Sequence, residues 1–148
     1  MKGEFVRISI DVARDLHRRL RQAALGCQAR YPEALNKLGE AYLYLGRAEQ
    51  AVKASRAAVG IRFGFASAHL NLGVALNKLG QSDEAEEQFR ETLVLAPQTA
   101  AAHIELGLIL AQSDGTLSPR ARVELVEGLR LDPGLRSKVP GNLLAQLQ

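Results

Sequence analysis

One cysteine, no tryptophan and no long apolar run narrow the field before any pattern is read. A single Cys, Cys27, excludes an intramolecular disulfide framework and a cysteine-rich zinc site. Aromatic residues make up only 5% of the 148 residues, so a core must be built mainly from Ala and Leu. That composition suits closely packed helices better than a sandwich of β-branched and aromatic side chains. No stretch approaches the roughly 18 apolar residues of a membrane helix, and no continuous apolar segment of a secretory signal is visible near Met1. The expected setting is therefore cytoplasmic, with no contact with a membrane. A Gly-rich phosphate loop, His-Glu-x-x-His, paired Cys and Gly-x-Ser-x-Gly are also missing, so neither an enzyme nor a cofactor is expected.

What is present begins with charge. The formal net charge is +3, but it is unevenly spread. Residues 1–30 carry seven bases (Lys2, Arg7, Arg14, Arg18, Arg19, Arg21 and Arg30) against three acids (Glu4, Asp11 and Asp15). The rest of the chain is close to neutral. Attraction to an acidic surface or to nucleic acid would belong to this first segment.

A 34-residue period runs through the middle. Leu38-Gly39 recurs as Leu72-Gly73 and as Leu106-Gly107, each step being 34 residues. Gly46 returns at Gly80, Ala51 at Ala85, Arg56 at Arg90 and His69 at His103. A fixed period of this size marks a stack of repeated supersecondary units. Within a unit the apolar spacing is helical: Leu35, Leu38, Ala41, Tyr42 and Leu45 in one half, Ala85, Phe89, Leu93 and Ala96 in another. Gly46 and Gly80 punctuate the halves, where a left-handed residue ends a helix. Ser82-Asp83-Glu84 starts the next helix, with acids at its positive end. Each unit is thus a helix–turn–helix.

These units resemble tetratricopeptide repeats. Leu38-Gly39, Tyr42 and Ala51 match the repeat pattern in the first unit, and Leu72-Gly73, Gly80, Ala85, Phe89 and Pro97 match it in the second. The third has Leu106-Gly107 and, after a turn longer by two residues, Ala121, Leu125 and Pro133. Ser55 replaces the usual Phe in the first unit and Phe63 the closing Pro. The resemblance implies an all-α, right-handed superhelical stack of helix-turn-helix repeats with terminal capping helices. The implied organisation is a basic cap over 1–31, repeats over 32–65, 66–99 and 100–135 within the 32–133 region, and a C-terminal cap over 134–148. It places Gly39, Gly73 and Gly107 at the closest helix crossings, with Ala51, Ala85 and Ala121 facing them.

The same resemblance implies a non-enzymatic protein-interaction scaffold whose first helices line a concave groove for a peptide or partner helix. On this chain the groove candidates are Asn36, Lys37, Glu40, Tyr44, Asn71, Asn77, Lys78 and Glu105. Asn36, Asn71 and Asn77 can both donate to and accept from a peptide backbone. As a solvent-facing side chain, Asn71 is expected to leave the fold intact when truncated. Of the places where family members that clamp a C-terminal carboxylate carry Lys, Asn and Arg, this chain has Asn71 at one but Asn36, Glu40, Ala101 and Glu105 at the others, so that clamp is not implied.

The histidines His17, His69 and His103 do not form a metal set. His69 and His103 are one repeat apart, about 10 Å, too far to share an ion. At the N-terminus, Phe5 to Ile10 alternates as a short strand, and Val12, Leu16, Leu20 and Cys27 line a helical face. Strand, basic helix and Gly26 resemble the opening of a ribbon-helix-helix unit, in which Arg7 and Ser9 would face DNA in a dimer. The alternative function is accordingly a dimeric DNA-binding regulator with a repeat region for a second ligand. The simpler reading is a helix that caps the first repeat.

Overall fold

The computed structural model describes residues 14–19, 31–113 and 117–147. Every regular element among them is helical. A helical segment at residues 14–19, here α1, precedes six longer helices: α2 (Pro32–Tyr44), α3 (Ala48–Ile61), α4 (Ala66–Lys78), α5 (Ser82–Leu95), α6 (Ala100–Ser113) and α7 (Pro119–Leu131). A 3-10 turn over Pro133–Lys138 and a short α8 (Gly141–Gln146) follow. The helices pair as α2 with α3, α4 with α5 and α6 with α7, and each pair packs on the next.

Local chemistry sets the boundaries. Pro32 and Pro119 open α2 and α7, where a missing N–H costs nothing. The Ser118 hydroxyl accepts from the Ala121 N–H at 3.2 Å and caps α7. Gly46 and Gly80 have φ of +70° and +77°. Each reverses the chain so that the next N–H returns to the helix: Arg47 N–H to the Tyr42 carbonyl at 2.8 Å, and Gln81 N–H to that of Leu76 at 3.0 Å. The second helix then runs antiparallel beside the first.

The core is the seam between paired helices. Leu38, Tyr42, Leu72, Leu76, Ala85, Phe89, Leu106 and Ile109 belong to one continuous apolar cluster. A second cluster joins Ile104 and Leu125 to buried Val139, with Leu135, Leu143, Leu144 and Leu147 packed against it. The C-terminal turn and α8 therefore cover the open end of the last pair. At the other end the His17 ring of α1 meets Tyr42 edge-on, 4.6 Å between centroids. The expected strand at Phe5 to Ile10 and most of the expected helix up to Cys27 lie outside the described residues.

Two glycines show why the pairs sit so close. A Cβ at Gly73 would lie 2.7 Å from Phe89 Cε1, and one at Gly107 would lie 2.7 Å from Leu125 Cγ. The close-crossing assignment holds, and at these two glycines the nearest side chains lie beyond the expected alanines. They are Phe89 and Leu125, one turn beyond Ala85 and Ala121, which are buried in the same seam. At Gly39 the nearest atom is Ser55 Oγ, with the carbonyl oxygen of the expected Ala51 at 3.6 Å, so the first pair crosses over a smaller side chain.

Candidate interaction surface

The first helices of the three pairs, α2, α4 and α6, jointly line a cleft of about 350 Å³. Repeat geometry puts equivalent places of successive helices side by side, so residues distant in sequence become neighbours. Four of the eight sequence candidates line this cleft: Glu40 and Tyr44 from α2, Asn71 from α4 and Glu105 from α6. Leu43, Leu70, Val74 and Ala101 supply its apolar part. Tyr44 is 77% exposed, so its ring has no protein packing of its own to lose.

The other four candidates lie differently. Lys37 Nζ is 2.8 Å from Glu40 Oε2, and this carboxylate raises the Lys37 pKa through its hydrogen bond and charge. Lys37 thus neutralises a cleft acid from outside the lining. Asn77 and Lys78 stand at the end of α4, half-buried and exposed, and neither lines the cleft. Asn36 is only 6% exposed, and its Oδ1 accepts from Asn71 Nδ2 at 2.8 Å.

That bond changes the expectation for Asn71. Its amide bridges α2 and α4 rather than waiting for a peptide backbone. Asn71→Ala would leave the buried Asn36 oxygen without its partner, so we expect a loss of about 1–3 kcal/mol, read as a shift in the urea midpoint at constant m-value. An unchanged midpoint would show that the bridge does not hold the helices together.

Lys138, from the 3-10 turn, also lines the cleft, with Nζ 3.8 Å from Glu105 Oε1. The sequence reading missed it, because a short non-periodic turn carries no repeat register. The only signal was the need for the chain to fold back over the last pair after Pro133. Elsewhere, Glu33 opens α2 with its carboxyl held below the ordinary range, first by a backbone hydrogen bond and then by Arg62. The Glu33–Arg62 pair ties the start of α2 to the end of α3.

His69 and His103 act as staples. His69 Nε2 lies 2.8 Å from the Phe63 carbonyl oxygen, and Nδ1 lies 2.8 Å from Gln88 Oε1. One repeat later, His103 Nε2 lies 2.9 Å from the Pro97 carbonyl oxygen and Nδ1 lies 2.7 Å from Glu124 Oε2. Each imidazole joins the turn before its own helix to the second helix of its pair. Both are thus occupied with backbone and side-chain oxygens, and among the described residues no cluster of metal-ligating side chains forms.

On the basic segment, Asp15 pairs with Arg18 at 2.7 Å and reaches Arg19 at 3.8 Å. Among the described residues, no helix is long and apolar enough to cross a membrane.

Comparison with known proteins agrees with this architecture. A tetratricopeptide repeat family model matches residues 36–98 and again 70–134. The crystal structure of MamA superposes with a TM-score of 0.73 at 22% identity, covering 89% of this chain and 75% of MamA. A thermophilic TPR protein of Thermus thermophilus, TTC0263, gives 0.70 at 17% identity, covering 90% of this chain and 75% of its own. At these identities the likeness concerns the fold. No curated protein sequence matches. With matched segments spanning most of the chain and a paired-helix stack to go with them, the chain belongs to the tetratricopeptide repeat family.

Proposed function

We propose that this chain is a non-enzymatic scaffold that holds an extended peptide or a partner helix in the cleft of α2, α4 and α6. The tetratricopeptide fold is generally a protein–protein interaction scaffold, and one observation carries the finer reading. Successive first helices and the C-terminal turn converge on one cleft with apolar side chains in its wall, charged groups around them and an exposed tyrosine ring. Leu70 and Val74 would receive apolar side chains, and Tyr44 would stack on them, the kind of residue that anchors binding surfaces. Glu40 and Glu105 are each neutralised by a flexible lysine, so a partner can exchange those pairs at small cost.

The test is affinity capture with the full chain, followed by calorimetry of the captured partner against two variants. Tyr44→Ala should weaken binding about tenfold or more with a thermal midpoint near that of the parent protein, since its ring is exposed, and Val74→Arg should weaken it likewise at some cost in stability, since Val74 packs against the core. Parent affinity in both variants would move the interaction to another face.

A further inference from the structure

The two junctions between successive repeats are equivalent by fold but differ in charge. At the first junction Arg56 of α3 reaches across to Glu84 of α5, with Nη2 2.8 Å from Oε2. This pair spans the space between the two second helices. The equivalent places at the next junction can be read from the structure itself. Phe89 and Leu125 face Gly73 and Gly107, while Gln88 and Glu124 receive His69 and His103. Residues of α5 therefore correspond to residues of α7 at a step of 36, which is the 34-residue period plus the two-residue insertion. By the same logic Ser55 and Phe89 both face the crossing glycine of their pair, so Arg56 corresponds to Arg90. The partner of Arg90, in the place of Glu84, is Arg120.

Two arginines thus stand where an ion pair closes the preceding junction. Between them lies a cleft of about 520 Å³, walled by α5 and α7 and floored by Leu106 and Leu110 of α6. The substitution pattern around it is consistent. Asp83, Glu84 and Glu87 of α5 become Pro119, Arg120 and Val123 of α7, so acid gives way to base and to apolar surface. Val123 lines the cleft and is 64% exposed. The remaining acid of the lining, Glu124, is held by His103 at 2.7 Å. Arg90 keeps Glu86 of its own helix, and Arg120 has no acidic partner among the described residues.

We infer that the cleft between α5 and α7 is a second docking site, on the face formed by the second helices, for a protein segment carrying an Asp or Glu beside an apolar side chain. The carboxylate takes the place that Glu84 holds at the first junction and bridges Arg90 and Arg120. Guanidinium suits this, since its planar fork binds carboxylate in a bidentate way. The neighbouring apolar side chain covers Leu110 and Val123. Charge complementarity selects the partner, and the site is independent of the cleft formed by α2, α4 and α6.

The experiment is selection from a random-peptide display library on the full chain, followed by anisotropy titration of the recovered peptides, labelled with fluorescein. Acidic residues next to Leu, Ile, Val or Phe should be enriched. Arg120→Glu and Arg90→Gln should each weaken such peptides about tenfold or more, whereas Tyr44→Ala should leave them unchanged. Arg120→Glu places an acid opposite Arg90 in the first turn of α7, where the helix dipole favours it and offsets repulsion from Glu124, so its thermal midpoint should stay near that of the parent, and lost binding is then not lost folding. Recovery of no peptide sensitive to either arginine overturns the inference, as does sensitivity without acidic enrichment. Arginine-dependent binding of labelled duplex DNA, with no acidic peptide recovered, overturns it in favour of a phosphate site. Peptides sensitive only to Tyr44→Ala overturn it too, while supporting the other cleft.

Discussion

Phe89→Ala is expected to lower stability by about 3–5 kcal/mol, the largest effect of any single truncation considered. Phe89 is wholly buried and belongs to the cluster that runs through all three helix pairs. It is the largest fully buried side chain among the described residues. Its removal forfeits the transfer free energy of the ring and leaves a cavity that Gly73, with no side chain, cannot fill. The site is in the central pair, whose stability is shared with both neighbours. For a chain of this length the thermal midpoint should fall by roughly 10 °C. Val94→Ala is the control: Val94 lies on the same helix but is exposed, so its truncation should move stability by less than about 0.5 kcal/mol. Equal effects from the two would mean that the aromatic seam does not hold the pair.

The repeat made most of the architecture legible. A 34-residue period fixes where a helix must stop, and Gly46 and Gly80 do stop helices, with positive φ. Leu-Gly at three equivalent places marks the crossings, because a mid-helix glycine is costly unless a Cβ has nowhere to go. Four groove candidates share one cleft for the same reason: equivalent places on stacked helices are neighbours.

The misses have a common origin in contacts between units. Sequence places Asn36 and Asn71 on one face but does not say that they satisfy each other, because that depends on the spacing of α2 and α4. It gives His69 and His103 as repeat-equivalent but not their oxygen partners, which come from a preceding turn and a following helix. Lys37, Asn77 and Lys78 fall outside the lining because side-chain direction, not helical register alone, decides what a residue reaches. Lys138 lies beyond the last periodic residue, where no register applies. The exchange of Glu84 for Arg120 is hidden differently, since a two-residue insertion puts the junction out of step with the 34-residue period.

The glycine of the central pair offers a test whose sign reverses. In the parent protein Gly73→Leu should cost about 1–3 kcal/mol or more, because the added atoms enter space already held by the Phe89 ring. Gly73→Ala sets two effects against each other. Alanine gains roughly 1 kcal/mol over glycine in a helix interior. Its Cβ, however, would lie 2.7 Å from Phe89 Cε1 and 2.9 Å from Cδ1, and that ring is wholly buried in the seam. Overpacking should win, leaving a net loss of about 1 kcal/mol. In the Phe89→Ala background the ring is gone and the cavity receives the methyl group. There Gly73→Ala should stabilise by about 1 kcal/mol through helix propensity and partial refilling. The double-mutant cycle would then carry a coupling of roughly 2 kcal/mol, as expected for groups in contact or sharing one cavity and not for distant, independent sites. Urea unfolding of the four proteins measures it. Additive single effects, or stabilisation by alanine in both backgrounds, would show that the helices can separate around residue 73 and that the glycine is not what allows their close approach.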